Sequence, residues 1–244
     1  MDLNSKVYHF ILNVAHMAAK IPGLKTILKP IYYPFKKRVE KNQRKKLFEN
    51  GVSILQRFDQ VMEENNIEYT LAFGTLLGAI REKGFIKHDF DIDVCVWEDQ
   101  YSPQIPAIMQ SAGFELVHSF VVEDGSKGRE ETYKCDGVVL DIFYVYEDDG
   151  EYPYYCGFGP LGDIATFSES MRKYGRIRAR RMNMPLVRER VKVPFEGVGL
   201  YIPTNAHELM KFIYGEDYMT PNPGWEEDPK TFDWKEWETC YYEV

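Results

Sequence analysis

Two apolar runs in this chain carry acids where a buried strand ordinarily carries none. Asp91 and Asp93 sit two apart in Asp-Ile-Asp-Val-Cys-Val-Trp at 91–97. Asp141 stands alone at the centre of Val-Val-Leu-Asp-Ile-Phe-Tyr-Val at 138–145. An unpaired carboxylate in a core strand is costly, so a sequence that keeps several must supply a cation or a partner. On a strand the period of two places Asp89, Asp91 and Asp93 on one face. Convergent carboxylates make a hard-oxygen site suited to Mg²⁺, or to Mn²⁺. The plainer alternative has one acid paired with an arginine and the others solvated at a strand end.

The residues just upstream add a second element. Ile67 to Phe73 is short, apolar and β-rich, and predicts a strand. A turn on Gly74-Thr75 follows, then a short helix to Arg81 and a second turn at Gly84. Strand, glycine-hydroxyl pair and helix together aim backbone N–H groups at a phosphate. The same residues also fit an ordinary capped turn, with Thr75 as the N-cap. With acids following on the next strand, the pattern is a phosphoryl-transfer layout: cation and amides neutralise the transferring group, and an acid takes a hydroxyl proton.

Around this core the chain predicts a mixed architecture. Residues 7–21 have the spacing of an amphipathic helix stopped by Pro22-Gly23. They are too short and interrupted to span a bilayer, which needs about 20 apolar residues. Pro30 and Pro34 are expected to interrupt helix, which resumes from Phe35 to Asn65 with an apolar stripe of Leu47, Phe48, Ile54, Leu55, Phe58, Val61 and Met62. A helix over 101–112 and strands over 114–122, 130–136 and 138–146 follow. The last reads as a central strand covered on both faces. Residues 152–155 fit a short edge strand or a loop. A hairpin is expected at 193–203 and a helix at 205–214, capped by Thr204 and stopped by Gly215.

Charge divides the chain. The first 46 residues carry eleven Lys or Arg against Asp2 and Glu40, a net +9, so the remainder carries −17 of a chain whose net charge is −8. A basic arm on an acidic body predicts peripheral contact with an anionic membrane surface, or an arm packed on its own domain or a second copy. No basic-aromatic groove is present, so no nucleic-acid partner is expected. Four scattered cysteines without CxxC spacing predict neither a zinc site nor a disulfide framework, and point to a reducing cytosol. A second basic run, from Arg172 to Lys192, fits either a grip on a pyrophosphate or anionic glycan lipid, or a solvated face.

The stretch Phe-Gly-Thr-Leu-Leu-Gly-Ala-Ile-Arg at 73–81, Lys-Gly-Phe-Ile at 83–86 and Asp-x-Asp-Ile-Asp-Val at 89–94 resembles the LicD family of phosphotransferases. Leu-Asp-Ile-Phe at 140–143 and Tyr-Gly-x-Asp-Tyr-Met-x-Pro at 214–221 extend the likeness. That family includes bacterial phosphocholine transferases and is related to fukutin and fukutin-related protein. The resemblance implies an α+β, DNA polymerase beta-like nucleotidyltransferase fold: a mixed sheet flanked by helices, with residues 1–45 as a basic helical arm and 46–244 as the catalytic domain. It implies that Asp91, Asp93 and Asp141 bind Mg²⁺ or Mn²⁺, with Asp141 as ligand or general base. Gly74, Thr75 and Arg81 are expected at the donor phosphates. The implied reaction moves a phospho-alcohol from a CDP-linked donor, such as CDP-choline, to a glycan or glycolipid acceptor and releases CMP. The implied setting is the cytoplasm, at the inner face of its membrane. Where the family commonly has Trp-Asp-Asp-Asp-Ile-Asp, this chain has His88-Asp89-Phe90-Asp91-Ile92-Asp93, so both ligand positions are kept. Two rival readings remain: a nucleotidyltransferase moving NMP from an NTP to a small molecule, and a non-catalytic glycan- or nucleotide-binding scaffold.

Overall fold

The computed structural model describes residues 24–148, 152–161, 166–222, 225 and 239–243. The expected helix at 7–21 and most of the acidic tail lie outside the described residues. The first described element, α1 (Leu24–Glu64), is a single helix of 41 residues. It passes through Pro30 and Pro34, contrary to the interruption expected there. The two prolines lie one turn apart, so their missing amides fall on one face and the ladder on the other sides is untouched. The proposed boundary between arm and domain, at residues 45 and 46, falls inside this helix.

From Leu47 onward α1 belongs to the core. Leu47, Ile54, Leu55, Phe58 and Met62 are buried, whereas Phe48 is half exposed, its ring edge-on to Phe85. Phe48 therefore leaves the predicted stripe: it lies one position round the helix from Leu47, which takes the core side. The helix ends where predicted. Asn66 turns into the left-handed region at φ 55°, and the Asn65 side chain donates to the Val61 carbonyl.

Next come β1 (Tyr69–Leu71), α2 (Phe73–Arg81), β2 (Asp91–Trp97), α3 (Ile105–Ser111), β3 (Glu115–Val122), β4 (Gly128–Cys135) and β5 (Val138–Val145). They form a central sheet of order β1-β2-β5-β4-β3, completed at the far edge by β10 (Thr239–Glu243). Only β2 and β5 run parallel; every other pair in this sheet is antiparallel. This is a mixed α/β domain with a central sheet flanked by helices.

The sheet has two unlike faces. Ile92, Val94 and Val96 of β2 and Leu140, Ile142 and Tyr144 of β5 are buried on one of them, in the same core as α1. On the other, Asp91, Asp93, Val139, Asp141 and Phe143 keep partial solvent access. Strand β5 is central, as its sequence predicted, but covered fully on one face only. The acid at its centre is what leaves the second face open.

Two hairpins close the domain. One pairs β6 (Tyr154–Gly159) with β7 (Arg178–Asn183), joined through α4 (Phe167–Tyr174). The other pairs β8 (Arg190–Phe195) with β9 (Val198–Pro203) and leads into α5 (Ala206–Tyr214). The N-cap of α5 is Asn205 rather than Thr204, and Gly215 ends the helix at φ 91°. Cys95, Cys135 and Cys156 are free and buried. Among the described residues no helix is long and apolar enough to cross a membrane.

Helix α2 is fastened through close approaches that only glycine permits. A Cβ on Gly78 would lie 2.4 Å from the Gly84 carbonyl oxygen, a backbone atom that cannot step aside cheaply. Gly78→Ala is therefore expected to destabilise the fold by about 1–3 kcal/mol. The midpoint of urea unfolding measures it; an unchanged midpoint would show that α2 does not press on this turn.

Candidate metal centre and its surroundings

Register brings the acids together. Strands β2 and β5 pair so that Asp93 stands directly beside Asp141, with Asp91 beside Val139. Cross-strand partners share a face, so Asp91, Asp93 and Asp141 all project to the open side. Their carboxylates each offer an oxygen within 4.8 Å of the others, and each residue keeps some solvent access. Three oxygens at this separation, reachable from solvent, fit a hard divalent cation.

The electrostatics point the same way. Burial, then Asp91, Asp141, Asp89 and Glu130, hold the Asp93 carboxyl well above the ordinary carboxylate range. Burial raises Asp91 as well. Asp141 is pushed up to about 7, by burial first and Asp91 to a smaller extent, against a hydrogen bond from Thr132. Asp89 also rises to about 7, through burial and then Asp91, with Arg81 opposing. Its Oδ2 is buried without a hydrogen-bond partner. Such crowding of carboxylates is relieved by a cation.

The helix beside the acids differs in detail from its sequence-based expectation. It begins at Phe73, with Ala72 as N-cap and no side chain capping it. Gly74 and Thr75 therefore lie in its first turn rather than ahead of it. Thr75 is fully buried. Its hydroxyl accepts a hydrogen bond from the Asp93 amide at 3.0 Å, while the Ala72 amide donates to the Asp93 carbonyl, also at 3.0 Å. Thr75 thus ties α2 to the strand that carries the acids. Gly74 faces Asp89: a Cβ there would lie 2.7 Å from the Asp89 Oδ1. Arg81 is held at the other end of α2, its Nε on Glu82 at 2.9 Å and its Nη1 donating to the Tyr218 carbonyl at 3.3 Å.

Several neighbours were not singled out by sequence. Thr132 of β4 stands beside Asp141 and donates its hydroxyl to Oδ1 at 2.5 Å, fixing that carboxylate. Glu130, two residues earlier, shares this face and is a further, half-buried carboxyl, raised by burial and then by Asp141. Phe73 takes φ 40° at the first helical position, a strained value for an aromatic residue. Its ring is held 4.9 Å from Phe143 and 5.0 Å from Tyr155. The basic run at 172–192 does not form one surface. Arg181 pairs with Asp148, Arg188 with Asp99 and Glu147, Arg190 with Glu68, and Lys192 with Asp59 and Glu63.

Comparison with known proteins matches residues 66–205 to the family described as LicD/FKTN/FKRP, nucleotidyltransferase domain. The chain is 30% identical over 182 residues to the ribitol-5-phosphate transferase FKTN of Homo sapiens, covering 75% of this chain and 34% of that protein. Over 95 residues it is 33% identical to the Mus musculus protein of the same name, covering 39% of this chain and 20% of that protein. It is 50% identical over 50 residues to the lipopolysaccharide cholinephosphotransferase LicD of Haemophilus influenzae, covering 20% of this chain and 19% of that protein. The chain thus spans between a fifth and a third of the length of these relatives.

The raised carboxyls set the sign of a pH effect. In the fold their pKa values lie above the ordinary 3.8 of an aspartate. The stability they contribute is thus complete below that value and lost as pH rises through about 7. The metal-free protein is expected to lose thermal stability between pH 5 and pH 8, and Mn²⁺ to restore it most at the alkaline end. At a hundredfold excess over Kd the gain is about 2.7 kcal/mol, roughly 5–10 °C. Asp93→Asn should raise the metal-free Tm at pH 8 and remove the Mn²⁺ shift. A Tm that ignores both pH and Mn²⁺ would exclude a metal centre here.

Proposed function

From the premise that this chain belongs to the LicD/FKTN/FKRP nucleotidyltransferase-domain family, we propose that it is a metal-dependent phosphotransferase acting on a CDP-linked alcohol. The moved group is a phospho-alcohol, phosphocholine or a polyol phosphate. The acceptor is a hydroxyl of a surface glycan or of its lipid-linked precursor, and CMP leaves. Support for the moved group comes from the relatives, one named for cholinephosphate and the other for ribitol 5-phosphate. The observation that carries the reading is the placement of Asp93 beside Asp141, with Asp91 within reach, next to the N-terminus of α2. The same arrangement supports assignment of the sheet to the DNA polymerase beta-like nucleotidyltransferase fold.

Asp91, Asp93 and Asp141 would hold a Mg²⁺ or Mn²⁺ ion, which supplies charge neutralisation at the transferring phosphoryl group. The chain's own groups do the rest. Gly74 and its neighbours in the uncapped first turn of α2 present backbone amides and the positive end of the helix dipole to the donor phosphates. Thr75 acts one step back, by fixing Asp93 through its amide. Thr132 orients Asp141 through Oδ1. Asp141 is the ligand or, in its place, the carboxylate that takes the acceptor's proton. The acceptor oxygen then bonds to the β-phosphorus, the bridging oxygen departs with CMP, and the acceptor proton passes to the carboxylate. Arg81 lends positive charge beside Asp89. Arg81 would also reach the donor phosphates by leaving Glu82 and the Tyr218 carbonyl, its present partners.

The early part of α1 fits an attachment role in this scheme. Lys37, Arg38, Lys41 and Lys45 are exposed along it. We place the protein in the cytoplasm, with this arm against the anionic inner face of the membrane where a lipid-linked acceptor resides.

Incubation with CDP-choline and a glycan acceptor is expected to release CMP, whereas CTP or ATP should release no pyrophosphate. The reverse pattern would make the protein a nucleotidyltransferase, and neither product would favour a scaffold. Asp91→Asn or Asp93→Asn should each lower transfer by roughly 10²–10³-fold. Sedimentation with anionic vesicles should be lost on deleting residues 1–45, which removes Lys37, Arg38, Lys41 and Lys45; undiminished binding would remove the membrane role.

A further inference from the structure

The β6–β7 hairpin stands over the open face of the sheet, and its register has a consequence for what binds there. Tyr155 pairs with Met182, Gly157 with Arg180 and Gly159 with Arg178. Antiparallel partners share a face, so these six residues lie on one side of the hairpin. Tyr155 shows which way that side turns. Its ring packs 5.0 Å from Phe73 and 5.6 Å from Phe143, the two aromatics that border the acids. Arg180 and Arg178 therefore project from the side of the hairpin that turns toward the metal centre.

The strand opposite is pared down to receive them. A Cβ on Gly157 would lie 3.1 Å from the Arg180 Nε and 3.4 Å from its Cγ, so the arginine lies across bare backbone. Opposite Arg178, a Cβ on Gly159 would meet nothing within 4 Å. The charge of Arg180 reaches Glu130, which stands beside Phe143 one row along the sheet from the Thr132–Asp141 pair. Of the other basic residues in the run, Arg181 pairs with Asp148, Arg188 with Asp99, Arg190 with Glu68 and Lys192 with Glu63, and Arg172 is exposed on α4 beside Glu169.

Charge balance gives this pair a task. One divalent ion offsets two negative charges, whereas the site holds Asp89, Asp91, Asp93, Glu130 and Asp141. A diphosphate brought into such surroundings needs further cations on its far side. The fork of an arginine is well suited to phosphate oxygens.

Resting on the reading of the preceding subsection, we propose that Arg180 and Arg178 form the diphosphate subsite, binding the β-phosphate of a nucleoside-diphosphate-linked donor from the side opposite the metal-ligating acids. The sequence run 172–192 thereby divides by strand face: alternate residues of β7 serve the donor and the fold.

Titration calorimetry of the full chain in Mg²⁺, with CDP and CMP as probes, tests this. Only CDP carries the β-phosphate. The wild type should bind CDP more tightly than CMP. Arg180→Gln should weaken CDP roughly 10- to 100-fold, while CMP changes by less than about threefold. Arg178→Gln should act in the same direction and provides a second reading if Arg180→Gln unfolds. Arg180→Lys should recover part of the loss, and Arg172→Gln should bind as the wild type does. Equal weakening of CDP and CMP would mean that the arginines only hold Glu130 or the hairpin, and would overturn the subsite, as would unaltered CDP binding in both variants. A wild type that binds neither probe in Mg²⁺ would instead overturn the donor reading on which the subsite rests.

Discussion

Mutual repulsion between Asp93 and Asp141 is the constraint around which this domain is arranged. Parallel pairing of β2 and β5 sets the two residues side by side, and Asp91 completes the group. In a sheet interior such neighbours are unfavourable, and each carboxyl is held above its ordinary range. The fold accepts this because its apolar face is well filled. Val94, Ile142 and Leu140 are completely buried within one core that also includes Phe58 and Ile54 of α1. Apolar packing fills one side of the sheet, and the carboxylates share the other.

The acids keep their geometry because α2 is secured at both ends. Thr75 accepts from the Asp93 amide near its start. Near its end Gly78 touches the Gly84 carbonyl, and Glu196 in the β8–β9 turn closes the contact by accepting from the Phe85 amide while its own amide donates to Lys83. Arg81 then reaches the Tyr218 carbonyl beyond α5. Segments far apart in the chain thus converge on one short helix. Errors in any of them displace the helix terminus relative to the carboxylates, and positioning of this kind decides phosphoryl-transfer chemistry.

Much of this was legible in the sequence because its signals are local. Acids inside apolar runs mark Asp91, Asp93 and Asp141, and alternation along β2 puts Asp91 and Asp93 on one face, whereas Asp141 joins them only through the β2–β5 register. The left-handed turn at Asn66 and the stop at Gly215 are equally local. What escaped depends on pairing. Residues 130–136 read as a strand, but only the register of β4 against β5 reveals that Thr132 braces Asp141 and that Glu130 shares its face. Thr75 looked like a cap because its partner, the Asp93 amide, lies on another element. The prolines of α1 looked like stops because each costs a hydrogen bond locally, while their relation to each other is set by the turn of the helix. The 172–192 run looked like one patch because adjacency in sequence hides alternation in space.

The open face also separates two kinds of residue by element. The candidate ligands Asp91, Asp93 and Asp141, with Thr132 beside them, sit on strands β2, β4 and β5, bound into the central sheet. The residues that look down on them from β6 and β7 belong to a separate two-stranded ladder, joined to the end of β5 by backbone bonds between Tyr146 and Tyr154. Side chains on the hairpin can therefore change without altering the β2–β5 register that sets the acids. On the proposed reading, the choice of donor is separable from the hold on the ion, because the two lie on different strands.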